Sequence, residues 1–212
     1  MHSSWPHIPP SYVRPLVTVQ ALNSTITLSS EFRLDAKWWC DFLPTWNGTA
    51  SFLEPNWTLS RDLDLFTDAS GTIGCGGYHK GHWFTVTWPT SLTASIAWKE
   101  MYPILVACSI WGHSWHGRRI LFHCDNQTVV HIWKKGSARC PKIMHLVRGI
   151  FYQAAKGNFH VLIAHINGTD NSIADSLSRS QMPRFRTLAL EAQAQPTPVP
   201  QHLRPLHLIC GN

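Results

Sequence analysis

The chain has 212 residues, 44% hydrophobic and 14% charged, with 18 Lys and Arg against 12 Asp and Glu. That is enough apolar material for one ordinary domain with a sizeable core plus flanking segments. The opening MHSSWPHIPPSYVRP has tandem prolines and no apolar signal region, and no later run reaches about 18 apolar residues, so secretion and membrane insertion are not expected and the location is read as intracellular, cytoplasmic or nuclear.

Residues 1–60 are rich in Pro, Ser, Thr and Trp and contain one clear periodic stretch, Ser30 to Leu43. Phe32, Trp39 and Phe42 recur there at helical spacing with Leu34 and Trp38 alongside, and Ser30 is a candidate N-cap. The spacing predicts one amphipathic helix within a connector. From Asp62 the pattern changes. Leu63, Leu65 and Thr67 alternate with Asp64, Phe66 and Asp68, the period of a strand. Thr72 to His79 and His82 to Trp88 read as two more strands, joined by short turns such as Lys80-Gly81 into an antiparallel meander. Ser91, Thr93 or Ser95 caps a long helix to about Trp115, in which Pro103 predicts a bend or a displaced start.

Arg119 to Cys124 is an apolar strand, and Asn126 to Trp133 a helix closed by Lys134-Lys135-Gly136. Pro141 opens a further helix to about Lys156, stopped by Gly157-Asn158; Phe159 to Ile166 is the last strand and Asn171 to Ser180 the last helix. The order βββαβααβα pairs the early strands by hairpins and requires crossovers for the later ones. It predicts an α/β fold over 61–180, a mixed five-stranded sheet with three antiparallel strands followed by parallel strands, flanked by helices. Beyond Ser180 the Pro/Gln/Ala-rich EAQAQPTPVPQ marks 181–212 as a linker or tail.

The basic excess is local. Between Arg118 and Lys156 lie eight basic residues and the single acid Asp125, whereas the remainder has ten basic and eleven acidic residues. Such a stripe suits a polyanion approaching a metal site, and a solvated helical face is the alternative. The six cysteines are scattered without a Cys-x-x-Cys pair and read as reduced, mostly buried thiols. The thirteen histidines offer no His-x3-His on a helix, so no histidine metal site is expected. The Asn-x-Ser/Thr triplets at Asn23, Asn47, Asn56, Asn126 and Asn167 are coincidental in a chain not expected to be secreted.

Four carboxylates fall where this architecture converges: Asp68 in the first strand, Glu100 on the long helix, Asp125 just past the fourth strand and Asp175 on the last helix. An Asp within the apolar run Phe66-Thr67-Asp68-Ala69 costs free energy unless cations or partners neutralise it. A pair of divalent ions roughly 3.5–4 Å apart needs such a set of shared carboxylates. Hard oxygen ligands, with no thiol or imidazole paired for a softer metal, indicate two Mg2+, with Mn2+ as the alternative.

Leu65-Phe-Thr-Asp-Ala-Ser70, Trp98-Lys-Glu-Met-Tyr-Pro-Ile104, Phe122-His-Cys-Asp-Asn-Gln127 and His165-Ile-Asn-Gly-Thr-Asp-Asn-Ser-Ile-Ala-Asp-Ser-Leu-Ser-Arg179 resemble, in order, the four blocks of retroelement ribonuclease H. The likeness covers about residues 62–180. It is strongest to the polymerase polyprotein of DIRS-type, tyrosine-recombinase retrotransposons and next to gypsy-like elements. Arg33 to Leu43 and Trp46-Asn-Gly48 are similar to the segment that joins reverse transcriptase to nuclease in those elements. The resemblance implies a ribonuclease H-like sheet, two-metal cleavage of the RNA strand of RNA–DNA hybrids, Asp68, Glu100, Asp125 and Asp175 as catalytic metal ligands, and a reverse transcriptase domain in the same polyprotein as partner.

For the hybrid itself the expected contacts are Ser70, Asn126, Gln127, Lys134, Lys135, Arg139 and Lys142, with helix capping an equal alternative for Asn126. The sequence departs from the cellular enzymes in two places. Gly168 to Asp175 holds no mobile histidine, and Ala97 stands where an Asn often touches the hybrid. No Tyr-x-Asp-Asp polymerase motif occurs. Two competing readings remain, a catalytically decayed nucleic-acid-binding or scaffold domain and a DNA-cutting enzyme on the same fold.

Overall fold

In the computed structural model, residues 27–45, 56–59 and 62–210 are described. The chain divides after Ser51 into two units. Of the first, α1 (Ser30–Phe42) forms over the expected stretch, but its cap is Ser29, whose Oγ accepts the Phe32 N–H at 3.1 Å. Trp38, Trp39 and Phe42 pack ring against ring along it. The Trp46-Asn-Gly48 segment lies outside the described residues.

The second unit is a mixed α/β fold whose strands form two ladders, not one continuous five-stranded sheet. A short strand that the sequence did not announce, β1 (Trp57–Leu59), precedes β2 (Leu65–Ala69), β3 (Gly74–His79) and β4 (His82–Thr87). β2, β3 and β4 form the expected antiparallel meander, with Asp68 opposite Gly76 and Gly76 opposite Thr85. Ser95 caps α2 (Ile96–Trp111), which runs through Pro103. Then come β5 (Arg119–Cys124), α3 (Gln127–Lys135), α4 (Pro141–Gly157), β6 (His160–His165) and α5 (Ser172–Ser178).

The parallel ladder has the order β1-β5-β6. β1 takes the hydrogen-bonding edge of β5 over Arg119 to Leu121, and β2 packs beside β5 without forming a ladder with it. A turn at Asp62 to Asp64, with Asp64 at φ 50°, precedes β2.

Period-two alternation assigns the two faces of the meander. Leu65, Ala69, Cys75 and Phe84 join the main core with α2, which is buried along almost its whole length and packs against β2, β3 and α4. Phe66, Tyr78 and Trp83 face the other way, toward Leu177 of α5. Asp68 shares their parity and lies on the α5 face.

Of residues 181–210, expected as linker or tail, the first dozen pack on this second face, and the rest run along β4 and back to the main core. Phe185 of α6 (Met182–Leu188) is fully buried against Tyr78 and Trp83. Arg186 stacks 5.2 Å from the Trp83 ring and donates to the carbonyls of Ala192, Gln193 and Ala194. The chain then follows β4, with Gln193 N–H donating to Gly81 O at 2.8 Å and Thr197 N–H to Trp83 O at 2.6 Å. Leu203 enters the main core and its carbonyl accepts the Tyr102 hydroxyl at 2.8 Å, ahead of α7 (Pro205–Cys210). The Pro/Gln composition concealed these anchors because their partners lie about a hundred residues upstream. Among the described residues, no helix is long and apolar enough to cross a membrane.

Candidate metal centre and nucleic-acid face

Asp68 is the penultimate residue of β2 and Asp125 the first residue after β5, so both stand at the C-terminal ends of neighbouring strands. Glu100 comes from the second turn of α2 and accepts a hydrogen bond from the Ala69 backbone N–H, next to Asp68. Carboxylate oxygens of Glu100 and Asp125 and the Cys124 Sγ all lie within 4.8 Å of one another. The thiol is a correction to the expectation of an all-oxygen cluster. Alternation along β5 buries Ile120, Phe122 and Cys124, which turns the sulfur inward immediately before the exposed Asp125.

The acids perturb one another. Burial raises the Glu100 carboxyl to about 9, and the nearby Asp68 and Asp125 push it the same way. Burial also raises Asp68 to about 6, with Asp125 and Asp175 adding to the shift and a hydrogen bond from Ser178 opposing it. No basic residue counts among the influences on Glu100. Its sequence neighbour Lys99 is engaged elsewhere, donating to Gly71 O at 2.5 Å beside the Trp88 ring. Desolvation holds the Cys124 thiol far above its ordinary range, so that sulfur is a neutral thiol here and a weaker ligand than the carboxylates.

Asp175 is delivered by the packing of α5. A Cβ on Gly76 would overlap the Leu177 Cβ, so the absence of a side chain opposite Asp68 lets the helix settle on the sheet. Three bonds then fix it. Buried Asn171 donates from Nδ2 to Thr67 O at 2.9 Å, Thr85 Oγ1 lies 3.4 Å from Leu177 O, and Ser178 Oγ donates to Asp68 Oδ2 at 2.5 Å. A Cβ built on Gly168 would come within 3.2 Å of Asp125 Oδ2, which brings the β6–α5 loop against the same cluster.

Asp175 itself holds two arginines. Its Oδ1 accepts from Arg179 Nε at 2.5 Å and its Oδ2 from Arg184 Nη1 at 2.7 Å. Burial alone would raise this carboxyl, yet these two partners together bring it below its ordinary value. The chain matches no known family model and no curated protein.

The expected nucleic-acid contacts divide. Ser70 is buried and its hydroxyl is committed to the β2–β3 turn, accepting from the Ile73 and Gly74 N–H groups and donating to Gly74 O, so it is a turn residue. Asn126 caps α3, its Oδ1 accepting from Thr128 N–H at 2.9 Å and Val129 N–H at 3.3 Å. Gln127 is exposed next to it, and Lys134, Lys135, Arg139 and Lys142 are exposed around the α3–α4 connection. The rest of the basic segment does not join them. Arg118 and Arg119 stand at the start of β5, Lys156 ends α4, and Arg148 is buried.

Asn171, Ser178, Arg179 and Arg184 escaped the sequence reading. Ser178 and Arg179 lie at i+3 and i+4 from Asp175 on a helix, a spacing that alone would have marked them as its neighbours. Nothing in the sequence marks Arg184.

Proposed function

We propose that the chain is a ribonuclease H-type endonuclease that cuts the RNA strand of RNA–DNA hybrids with two Mg2+ held by Asp68, Glu100, Asp125 and Asp175, with Mn2+ as a substitute. The observation that carries this reading is the convergence of buried acids from β2 and α2 with Asp125, where burial first and the neighbouring acids second raise the Glu100 carboxyl to about 9. Folding has no use for that arrangement, because each buried carboxyl without a counter-charge destabilises the domain. A dipositive ion is the partner that turns the repulsion into attraction. When bound, such ions would supply Lewis acidity for attack by water and for departure of the 3′-oxygen.

The protein's own groups have separate tasks in this reading. Ser178 orients Asp68, the Ala69 N–H orients Glu100, and Asn171 anchors the helix that carries Asp175. Gln127 and the exposed Lys134, Lys135, Arg139 and Lys142 would follow a phosphate backbone leading away from Asp125 along α3. The antiparallel β2–β3–β4 meander beside the parallel β5–β6 pair supports a ribonuclease H-like arrangement, and the proposed wider setting is a retroelement polyprotein with a reverse transcriptase domain. The test is cleavage of labelled RNA–DNA hybrid with and without Mg2+. Asp68→Asn and Asp125→Asn should each abolish it while the circular dichroism spectrum stays unchanged. Undiminished cleavage by either variant removes the quartet. Hybrid binding without cleavage by the parent chain would instead favour a binding or scaffold domain.

A further inference from the structure

Each oxygen of Asp175 already accepts from one arginine. The two contacts differ in origin. Arg179 lies one turn along the same short helix and follows Asp175 wherever it goes. Arg184 comes from α6, nine residues on, and its position is set independently. The next residue, Phe185, is fully buried among Tyr78, Trp83 and Leu177, which fixes the register of α6. Gln181 Oε1 accepts from the same Arg184 Nη1 at 3.1 Å, so the guanidinium is steered as well as tethered. The Arg184 side chain is nonetheless 46% exposed and has solvent to swing into.

We infer that Arg184 competes with a divalent cation for Asp175, so that α6 holds the fourth acid of the site in a cation-free, self-satisfied state until the ion displaces the guanidinium. The inference rests on the proposed metal-site reading and adds to it a regulatory element from α6. The physical argument is occupancy. A guanidinium on Asp175 Oδ2 takes one of that oxygen's two lone-pair sites and sets a positive charge beside the place where a hard cation would bind the other, so the two oppose each other by charge and by space. Releasing Arg184 costs the ion part of its binding free energy. The contact is half-exposed, so that cost is modest, a threshold on ion concentration and not a block.

The test measures ion binding directly, by the loss of the free Mn2+ electron paramagnetic resonance signal on titration of the full chain without nucleic acid. Arg184→Ala should bind Mn2+ about three- to tenfold more tightly than the parent, the effect expected for removing one partly exposed charge-assisted contact. Arg184→Lys, which keeps the charge but loses the planar fork, should fall between. Removing a positive charge strengthens cation binding at long range in any case, so the deciding comparison is made in the Asp175→Asn background. There, Arg184→Ala should have less than half its effect if competition acts through the contact. An equal effect in both backgrounds, or no effect in the parent background, overturns the inference. Failure of the underlying metal-site reading has a different signature: Mn2+ binding by the parent that is absent, or that survives Asp68→Asn unchanged.

Discussion

Glu100 lies in a helix whose neighbouring residues Trp98, Met101 and Tyr102 are buried in the main core, and it is itself 6% exposed. Its proton is therefore part of the fold when no cation is present. Because the carboxyl is raised from 4.5 to about 9, the folded chain binds a proton between those values that the unfolded chain has lost, and stability must fall as pH rises through that window. His79 has the opposite sign. Burial, aided by Lys80 and His82, lowers it from 6.5 to about 4, so its contribution is present above 6.5 and lost as pH falls toward 4. The His79 ring is buried against Trp111 and Trp115, which suits the neutral form, while its Nδ1, 2.8 Å from Leu63 O, makes a contact that opposes the shift without cancelling it. Glu100→Gln should abolish cleavage yet raise the melting temperature at pH 9 by about 2–4 °C or more, equivalent to at least about 1 kcal/mol, and change little at pH 4.5. Melting curves at the two pH values check this. Equal shifts at both would mean that Glu100 carries no buried proton.

Helix α5 depends on β3 being nearly bare where the two meet. Gly76→Val inserts a branched side chain against Leu177 and should destabilise the second unit by about 1–3 kcal/mol. The same change should weaken Mn2+ binding, since Asn171, Ser178 and Asp175 move with the helix. Denaturant unfolding together with the ion titration measures both, and a destabilised variant with unaltered ion affinity would separate α5 from the site. The elements were legible in the sequence wherever one local signal sufficed. Ser95 and Asn126 as caps, Gly136 and Asn158 as helix stops, and the Leu63–Leu65–Thr67 parity all act over a few residues. What stayed hidden depends on distant partners. β1 exists through its pairing with Arg119 to Leu121, some sixty residues later, and Phe185 and Leu203 look like isolated apolar residues until Trp83 and Tyr102 are placed beside them. The proposed site follows the same rule. Asp68 stands out as a carboxylate in an apolar run, whereas Cys124 and the arginines on Asp175 come beside the acids only through side-chain direction and the docking of α6.

For the whole molecule, the charge pattern sorts itself in space. Of the eight basic residues between Arg118 and Lys156, the four exposed around the α3–α4 connection share one end of that helix pair, with α3 reaching roughly 12–14 Å from Gln127 to Lys135. Replacing Lys134 and Lys135 by Ala should weaken hybrid binding for all sequences alike and flatten its log–log salt dependence by up to about one unit per lost phosphate contact. Cleavage at saturating substrate should be unchanged. Fluorescence anisotropy across a salt series measures the slope, and an identical slope in the double variant would reduce these lysines to a solvated face.

The segment that follows β4 has a consequence for anyone handling the domain in pieces. Its N–H groups at Gln193 and Thr197 meet carbonyls at Gly81 and Trp83, on what would otherwise be an open rim of the meander. A fragment trimmed at the last recognisable motif, near Ser180, would lose that cover together with Phe185 and Leu203. It would present an unpaired strand flanked by Tyr78 and Trp83, an invitation to strand-to-strand self-association. The last of the proposed metal ligands and the last residue that packs into the core are therefore more than twenty residues apart, and insolubility of a fragment ending near Ser180 would say nothing about whether those proposed ligands are competent.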